Sequence, residues 1–126
     1  MISEHYSELA TLDRSYWWFL VRHRIVRRLI TRALGRKPAS ILDIGAGAGG
    51  FLSEMVDEGF VTRASVLALE PSPEAQVVLA ARQLPILSAP LSELATVEVQ
   101  PFPEVVTLLD VLEHLDEPVR TLLDIN

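Results

Sequence analysis

Beyond Pro38 the chain alternates short apolar runs with longer amphipathic stretches, and the two periods predict strands and helices in turn. Ser40-Ile41-Leu42-Asp43-Ile44 is an apolar run cut off by glycines, which suits a buried parallel strand. A helix is expected over 49–58, closed by Gly59, and a second strand over 64–70, ended by Pro71. Ser72-Pro73-Glu74 has the form of a helix start, with Ser72 as N-cap and Pro73 in the first turn, and that helix should run to about Gln83. Residues 85–88 suit a short third strand, and Val105 to Leu109 a strongly apolar fourth. Between them, Ala89 to Glu104 is irregular and carries Pro90, Pro101 and Pro103. A last helix begins near Glu117-Pro118. Strands that alternate with helices call for right-handed crossovers and a mainly parallel sheet covered on both faces.

Ahead of this region, Arg14 to Leu34 holds no Gly or Pro, and Gly35 with Lys37-Pro38 makes a stop, so one helix is predicted over 14–34. At about 100° per residue, Trp18, Val21, Ile25, Val26, Leu29 and Ala33 share one broad arc, the expected buried face. Arg24 and Arg27 fall opposite, towards solvent. Arg22 breaks the pattern from within the arc, and an arginine there needs a partner or a cleft. Two parts result, a helical segment over 1–37 and an α/β domain over 38–126.

The 126 residues are nearly half apolar, which supports one packed domain and excludes a disordered chain. The net charge of -6 is unevenly spread: residues 1–37 carry eight Lys/Arg against three Asp/Glu, and the remainder three against fourteen. The basic segment and acidic body complement each other within one fold, or the basic segment meets an anionic partner. No cysteine is present, so disulfides and thiolate metal sites are ruled out, in keeping with a reducing, cytoplasmic setting. Met1 to Asp13 lacks the basic start and apolar core of a signal peptide, and no apolar run approaches the roughly 18 residues of a membrane span.

The chemistry concentrates in Asp43-Ile44-Gly45-Ala46-Gly47-Ala48-Gly49-Gly50. Glycines at alternate positions after a buried strand let the backbone turn sharply, with no side chains above it, beside the start of a helix. Gly45, Gly47 and Gly50 also satisfy the Gly-x-Gly-x-x-Gly dinucleotide pattern, while the absence of a following Lys-Ser/Thr excludes a P-loop. Glu70, closing the second strand, stands where it could accept hydrogen bonds from ribose hydroxyls, and that suits NAD equally well. Asp43, just before the glycines, suits a cationic ligand with an amino-acid end better than a pyrophosphate.

ILDIGAGAGGF, over 41–51, resembles the first motif of class I S-adenosylmethionine-dependent methyltransferases, and LALEPSPEA, over 67–75, their second. VVTLLDVLEHLDEP, over 105–118, is similar to the fourth-strand segment of the subgroup with a Leu-Glu-His triplet after that strand. YWWFLVR, over 16–22, resembles an N-terminal signature of one subset. The resemblance implies a Rossmann-like three-layer α/β sandwich, strands in spatial order 3-2-1-4, and S-adenosylmethionine as cofactor. Gly45, Ala46, Gly47 and Gly49 would approach the cofactor's methionine part and adenosine. Asp43 would lie near its amino group, Glu70 would hold the ribose, Pro71 and Ser72 would edge the adenine, and Asp110 would face the methionine end and the substrate. The acidic residue that family members carry after the third strand has no clear counterpart in Ser88 to Glu93. The family continues through three further strands, so the sheet is expected to be incomplete.

His114, near Asp110 and Glu113, is the candidate base, although a methyl group on a sulfonium needs alignment more than base catalysis. Asp110, Glu113 and His114 are too close in sequence for a metal site to be expected. Trp17 and Trp18 are expected to pack against the core. The expected function is methyl transfer to a small-molecule acceptor, with no nucleic-acid partner and possible self-association through an exposed fourth strand. The rival functions are an NAD-binding dehydrogenase-type domain and a non-catalytic cofactor-binding remnant.

Overall fold

The computed structural model describes residues 2–99 and 102–125; Gln100 and Pro101, within the irregular stretch of the sequence, lie outside the described residues. Helices α1 (Ile2–Leu12) and α2 (Trp17–Leu34) precede the sheet. Then follow β1 (Ile41–Ile44), α3 (Gly50–Asp57), β2 (Val66–Leu69), α4 (Pro73–Ala81), β3 (Ile86–Leu87), β4 (Val105–Thr107) and α5 (Pro118–Ile125). The strands form one parallel sheet in the order β3-β2-β1-β4, with Ile41 level with Val66 on one side and Val105 on the other. This is the Rossmann-like arrangement implied by the motifs. Ser72 caps α4 as expected, its Oγ accepting from Ala75 N–H, and Gly35 closes α2 in the left-handed conformation.

The two faces of the sheet are covered unequally. On one, Ile41, Val66 and Ala68 pack with Ile30 of α2, Phe51, Leu52 and Met55 of α3, and Leu79 of α4. On the other, Leu42, Ile44 and Leu69 meet mostly half-buried side chains: Leu91, Val97 and Val99 of the connection before β4, and Ile125 of α5.

The structure departs from expectation in three ways, two of them in the N-terminal region. The single helix predicted over 14–34 begins only at Trp17, and a separate helix, α1, occupies 2–12. The buried face of α2 is also not the predicted arc. Trp18, Val21, Ile25 and Leu29 are exposed, Trp17 and Trp18 at 61% and 52%, while His23 and Ile30 are buried. The stripe that faces the domain runs through Phe19, His23, Val26, Ile30 and Leu34, a spacing of three and four that a polar-looking histidine interrupts in the sequence. Arg27, expected in water, consequently lies over the Phe60 ring at 5.1 Å and pairs with Glu58. Finally, β4 stops at Thr107, and Leu109 and Asp110 belong to the turn beyond it.

Candidate functional site

The glycine turn sits where the resemblance expects it, between β1 and α3, and its geometry separates the roles of its glycines. Gly45, Gly47 and Gly49 all have positive φ, at 70°, 58° and 80°. A side chain at Gly49 would strike Leu79 and Leu84 at 2.5 and 2.7 Å, so core packing beneath the turn also requires a glycine here. A side chain at Gly45 would strike Val111 at 2.7 Å. At Gly47 a Cβ would meet only Leu9 Cδ2, at 3.8 Å, so this position is open above the backbone. The turn is tied to the sheet by Gly45 N–H, which donates to Leu69 C=O at 2.8 Å.

Above the turn lies a cavity of about 220 Å³, lined by Gly45, Ala46, Gly47, Asp43 and Asp110, and roofed by Leu9 of α1 and by Phe19, Arg22 and His23 of α2. Asp43 is fully buried at the end of β1, and Thr107 Oγ donates to it at 2.7 Å. Burial pushes its carboxyl up to about 7, against the opposing effects of the Thr107 hydrogen bond and the Arg22 charge. Arg22 reaches across the cavity to pair with Asp110, so the arginine out of pattern in the sequence does face the cleft. Asp110 is held towards it by a left-handed backbone, φ 55°, at the turn after β4.

Glu70 is buried beside the turn rather than in the cavity lining. Its two oxygens accept from Gly47 N–H at 2.8 Å and Ser72 N–H at 3.0 Å, joining the glycine turn to the start of α4. Pro71 is exposed and Ser72 half-buried, next to Glu70 and away from the cavity. His114 is 76% exposed, 3.9 Å from Glu113, and does not line the cavity. The described residues hold no group of three His, Asp or Glu side chains able to take a metal ion, and no helix long and apolar enough to cross a membrane.

The roof is what the sequence conceals. Leu9 and Asp13 come from a segment without a clear pattern, and the latch that holds it, Arg82, is 69 residues distant from Asp13. His23 is more legible, since it falls at helical spacing between Phe19 and Ile30 once a histidine is allowed in the buried stripe.

Solved structures with the same fold include a sugar N-methyltransferase from a Streptoalloteichus species, at TM-score 0.74 and 19% identity over 94% of this chain and 47% of that one. A second is a SAM-bound amino pentose methyltransferase from Micromonospora echinaspora, at 0.68 and 21%, over 91% of this chain and 47% of the other. A third, the plantazolicin methyltransferase in complex with a pentazolic desmethylPZN analogue and SAH, aligns at 0.72 and 13%, over 97% and 47%. The chain therefore spans about half the length of these neighbours. No curated protein matches it significantly in sequence. Residues 19–126 match the methyltransferase domain family, which takes in the glycine turn, Glu70 and every strand of the sheet, and the chain belongs to that family.

Proposed function

We propose that the chain binds S-adenosylmethionine over the glycine turn and serves methyl transfer to a small-molecule acceptor. The observation that carries this reading is the placing of a guanidinium and a carboxyl around one cavity, Arg22 on its roof and Asp43 at its floor, above the open backbone of Gly47. An amino-acid end has a carboxylate and an ammonium, and this donor set offers a guanidinium for the first and a carboxyl for the second. Arg22 Nε is buried and has no partner among the described residues, which marks a hydrogen bond waiting for a guest. A pyrophosphate, by contrast, would bring two negative charges against Asp43 and Asp110, and this disfavours the dinucleotide alternative.

When bound, the cofactor supplies a methyl group already activated on sulfur. The protein's task is to hold the acceptor in line with it and exclude water. Glu70, whose oxygens each keep a lone pair beyond their backbone hydrogen bonds, would take the ribose hydroxyls, and Pro71 and Ser72 would edge the adenine. Asp110, more than half exposed at the cavity rim, would meet the acceptor. Calorimetric titration with S-adenosylmethionine, S-adenosylhomocysteine and NAD tests the cofactor; binding of the first two and not the third is expected, and preference for NAD would overturn the reading. Transfer of labelled methyl groups is the separate test of catalysis and of the non-catalytic alternative.

Self-association belongs to the same proposal. In the described sheet β4 pairs with β1 alone, so its outer edge presents unpaired backbone groups beside apolar side chains. Two copies pairing along β4 would cover both edges. Light scattering on the purified chain should return a dimer mass, and a monomer at all concentrations would exclude it.

A further inference from the structure

The least accessible titratable side chain of the cavity is unused by that reading. His23 is 1% exposed, in the middle of α2, with its ring edge-on to Phe51 at 5.5 Å and tilted against Phe19 at 6.5 Å. Its Nδ1 is hydrogen-bonded to the Glu54 carboxylate on α3, and its Nε2 is buried without a partner among the described residues. The ring lines the same cavity as Arg22, its neighbour in sequence.

A histidine that only fills a core hides no bare nitrogen, because a buried acceptor without a donor has given up its hydrogen bond to water for nothing in return. Burial and the neighbouring Glu58 raise the Glu54 carboxyl, with Arg14, Arg24 and Arg27 opposing the rise, and as a carboxylate it accepts only. Nδ1 must then carry the proton and donate to Glu54, which leaves a lone pair on Nε2. Burial, followed by the Arg22 charge, holds the ring's pKa down at about 4, so the ring is neutral at pH 7 and the lone pair free. A bare acceptor requires a donor. On the amino-acid end of the cofactor the donor is the ammonium group, which also suits the carboxyl of Asp43 in the same cavity.

We propose that His23 is a cofactor-contacting residue, oriented by Glu54, whose Nε2 accepts a hydrogen bond from the α-ammonium of the bound cofactor. The proposal rests on the S-adenosylmethionine reading and assigns that site a second acceptor on its roof. The Glu54–His23 pair does for the ligand what a carboxylate does for a metal-bound or catalytic imidazole: it fixes the tautomer, and so which nitrogen faces the guest.

Two variants separate the contact from a structural role. In His23→Asn the amide can replace Nδ1 towards Glu54 but falls short of the Nε2 position. In His23→Gln the amide oxygen reaches the Nε2 position and gives up the Glu54 bond. Each is titrated calorimetrically with S-adenosylhomocysteine and with 5′-methylthioadenosine, which lacks the amino-acid end. His23→Asn should lose about tenfold or more in affinity for S-adenosylhomocysteine, the scale of a hydrogen bond to a charged group, with 5′-methylthioadenosine unchanged. His23→Gln should keep most of the wild-type affinity for both. Equal losses for the two nucleosides, or full affinity in His23→Asn, would overturn the contact while leaving the cofactor reading intact. Failure of the wild type to bind S-adenosylhomocysteine would overturn both. Should the variants fold poorly, long-range proton–nitrogen spectra of the wild type decide the matter: the His23 Nε2 resonance should move with S-adenosylhomocysteine and stay still with 5′-methylthioadenosine, and the reverse would overturn the contact.

Discussion

Arg82, at the end of α4, grips Asp13 with both terminal nitrogens, at 2.8 and 2.9 Å, and the same guanidinium donates to Ala10 C=O at 2.9 Å and Ala48 C=O at 2.6 Å. One side chain thus joins the end of α1, the glycine turn and α4. Asp13 is buried and sits so close to Gly50 that any side chain there would collide with it. The pair is specific because its geometry is bidentate and both terminal nitrogens also donate to backbone carbonyls.

Removing one partner strands the other. Arg82→Ala should cost about 3 kcal/mol of stability, the range for breaking a buried pair, as read from urea unfolding midpoints. The same variant should make α1 the first part cut by limited proteolysis. A loss below about 0.5 kcal/mol would show that the latch is a surface contact.

Two glycines of one turn should respond differently. Gly49→Ala places a methyl group against Leu79 and Leu84 and forces a left-handed alanine, so it should destabilise by roughly 3 kcal/mol. Gly47→Ala meets only Leu9, and its stability cost should be about 1 kcal/mol, from backbone conformation alone. Its effect should instead appear as weakened binding of S-adenosylhomocysteine, because the methyl group projects where the ligand would lie. Thermal melts and calorimetry on the two variants give the comparison.

Glu70→Gln tests the joint between the turn and α4. An amide presents one oxygen and one NH₂ group where the carboxylate accepted twice, so either Gly47 N–H or Ser72 N–H loses its acceptor. A destabilisation of about 1–2 kcal/mol is expected, together with weaker S-adenosylhomocysteine binding. Unchanged binding in a folded variant would remove Glu70 from the ribose.

The pH dependence of stability contains two opposing contributions. His23 has its folded pKa lowered to about 4 from 6.5, so the unfolded chain binds the extra proton and stability is lost as pH falls through that window. Asp43 has its folded pKa raised to about 7 from 3.8, so the folded chain binds the extra proton and stability is lost as pH rises. Glu54, also raised by burial, adds to the sign of Asp43. Asp43→Asn should therefore steepen the loss of stability towards acid, whereas His23→Phe should leave a protein that weakens from acid towards neutral pH. Urea midpoints across pH 4 to 7 check both slopes. Glu104, held at about 2 chiefly by its Arg36 hydrogen bond, acts mainly below this range.

The strands were legible because each is a compact apolar run bounded by glycine or proline, and burial on both faces asks nothing subtler of a parallel strand. Asp43, Glu70 and the glycines were legible for the same local reason. The roof was not. The 11 residues of α1 combine scattered polar and apolar positions, and what holds the helix down is Arg82, whose partnership with Asp13 leaves no mark on either neighbourhood. The orientation of α2 failed for a different cause: the helix has two apolar stripes, and only tertiary contact with Phe51 and Glu54 selects the one through His23.

The unequal cover of the sheet sets an order in which the molecule opens. Amides of β1, β2 and α3 lie in the thicker core and should exchange with solvent only through global unfolding. On the thinner side, α5 is a helix of 8 residues whose Val119 and Leu123 are about two-thirds exposed, too short to persist without its few contacts. It should detach in a local fluctuation, exposing Leu42 and Ile44 while the glycine turn stays folded. Hydrogen exchange would then divide the chain into a slow unit that carries the cavity and a fast unit that does not.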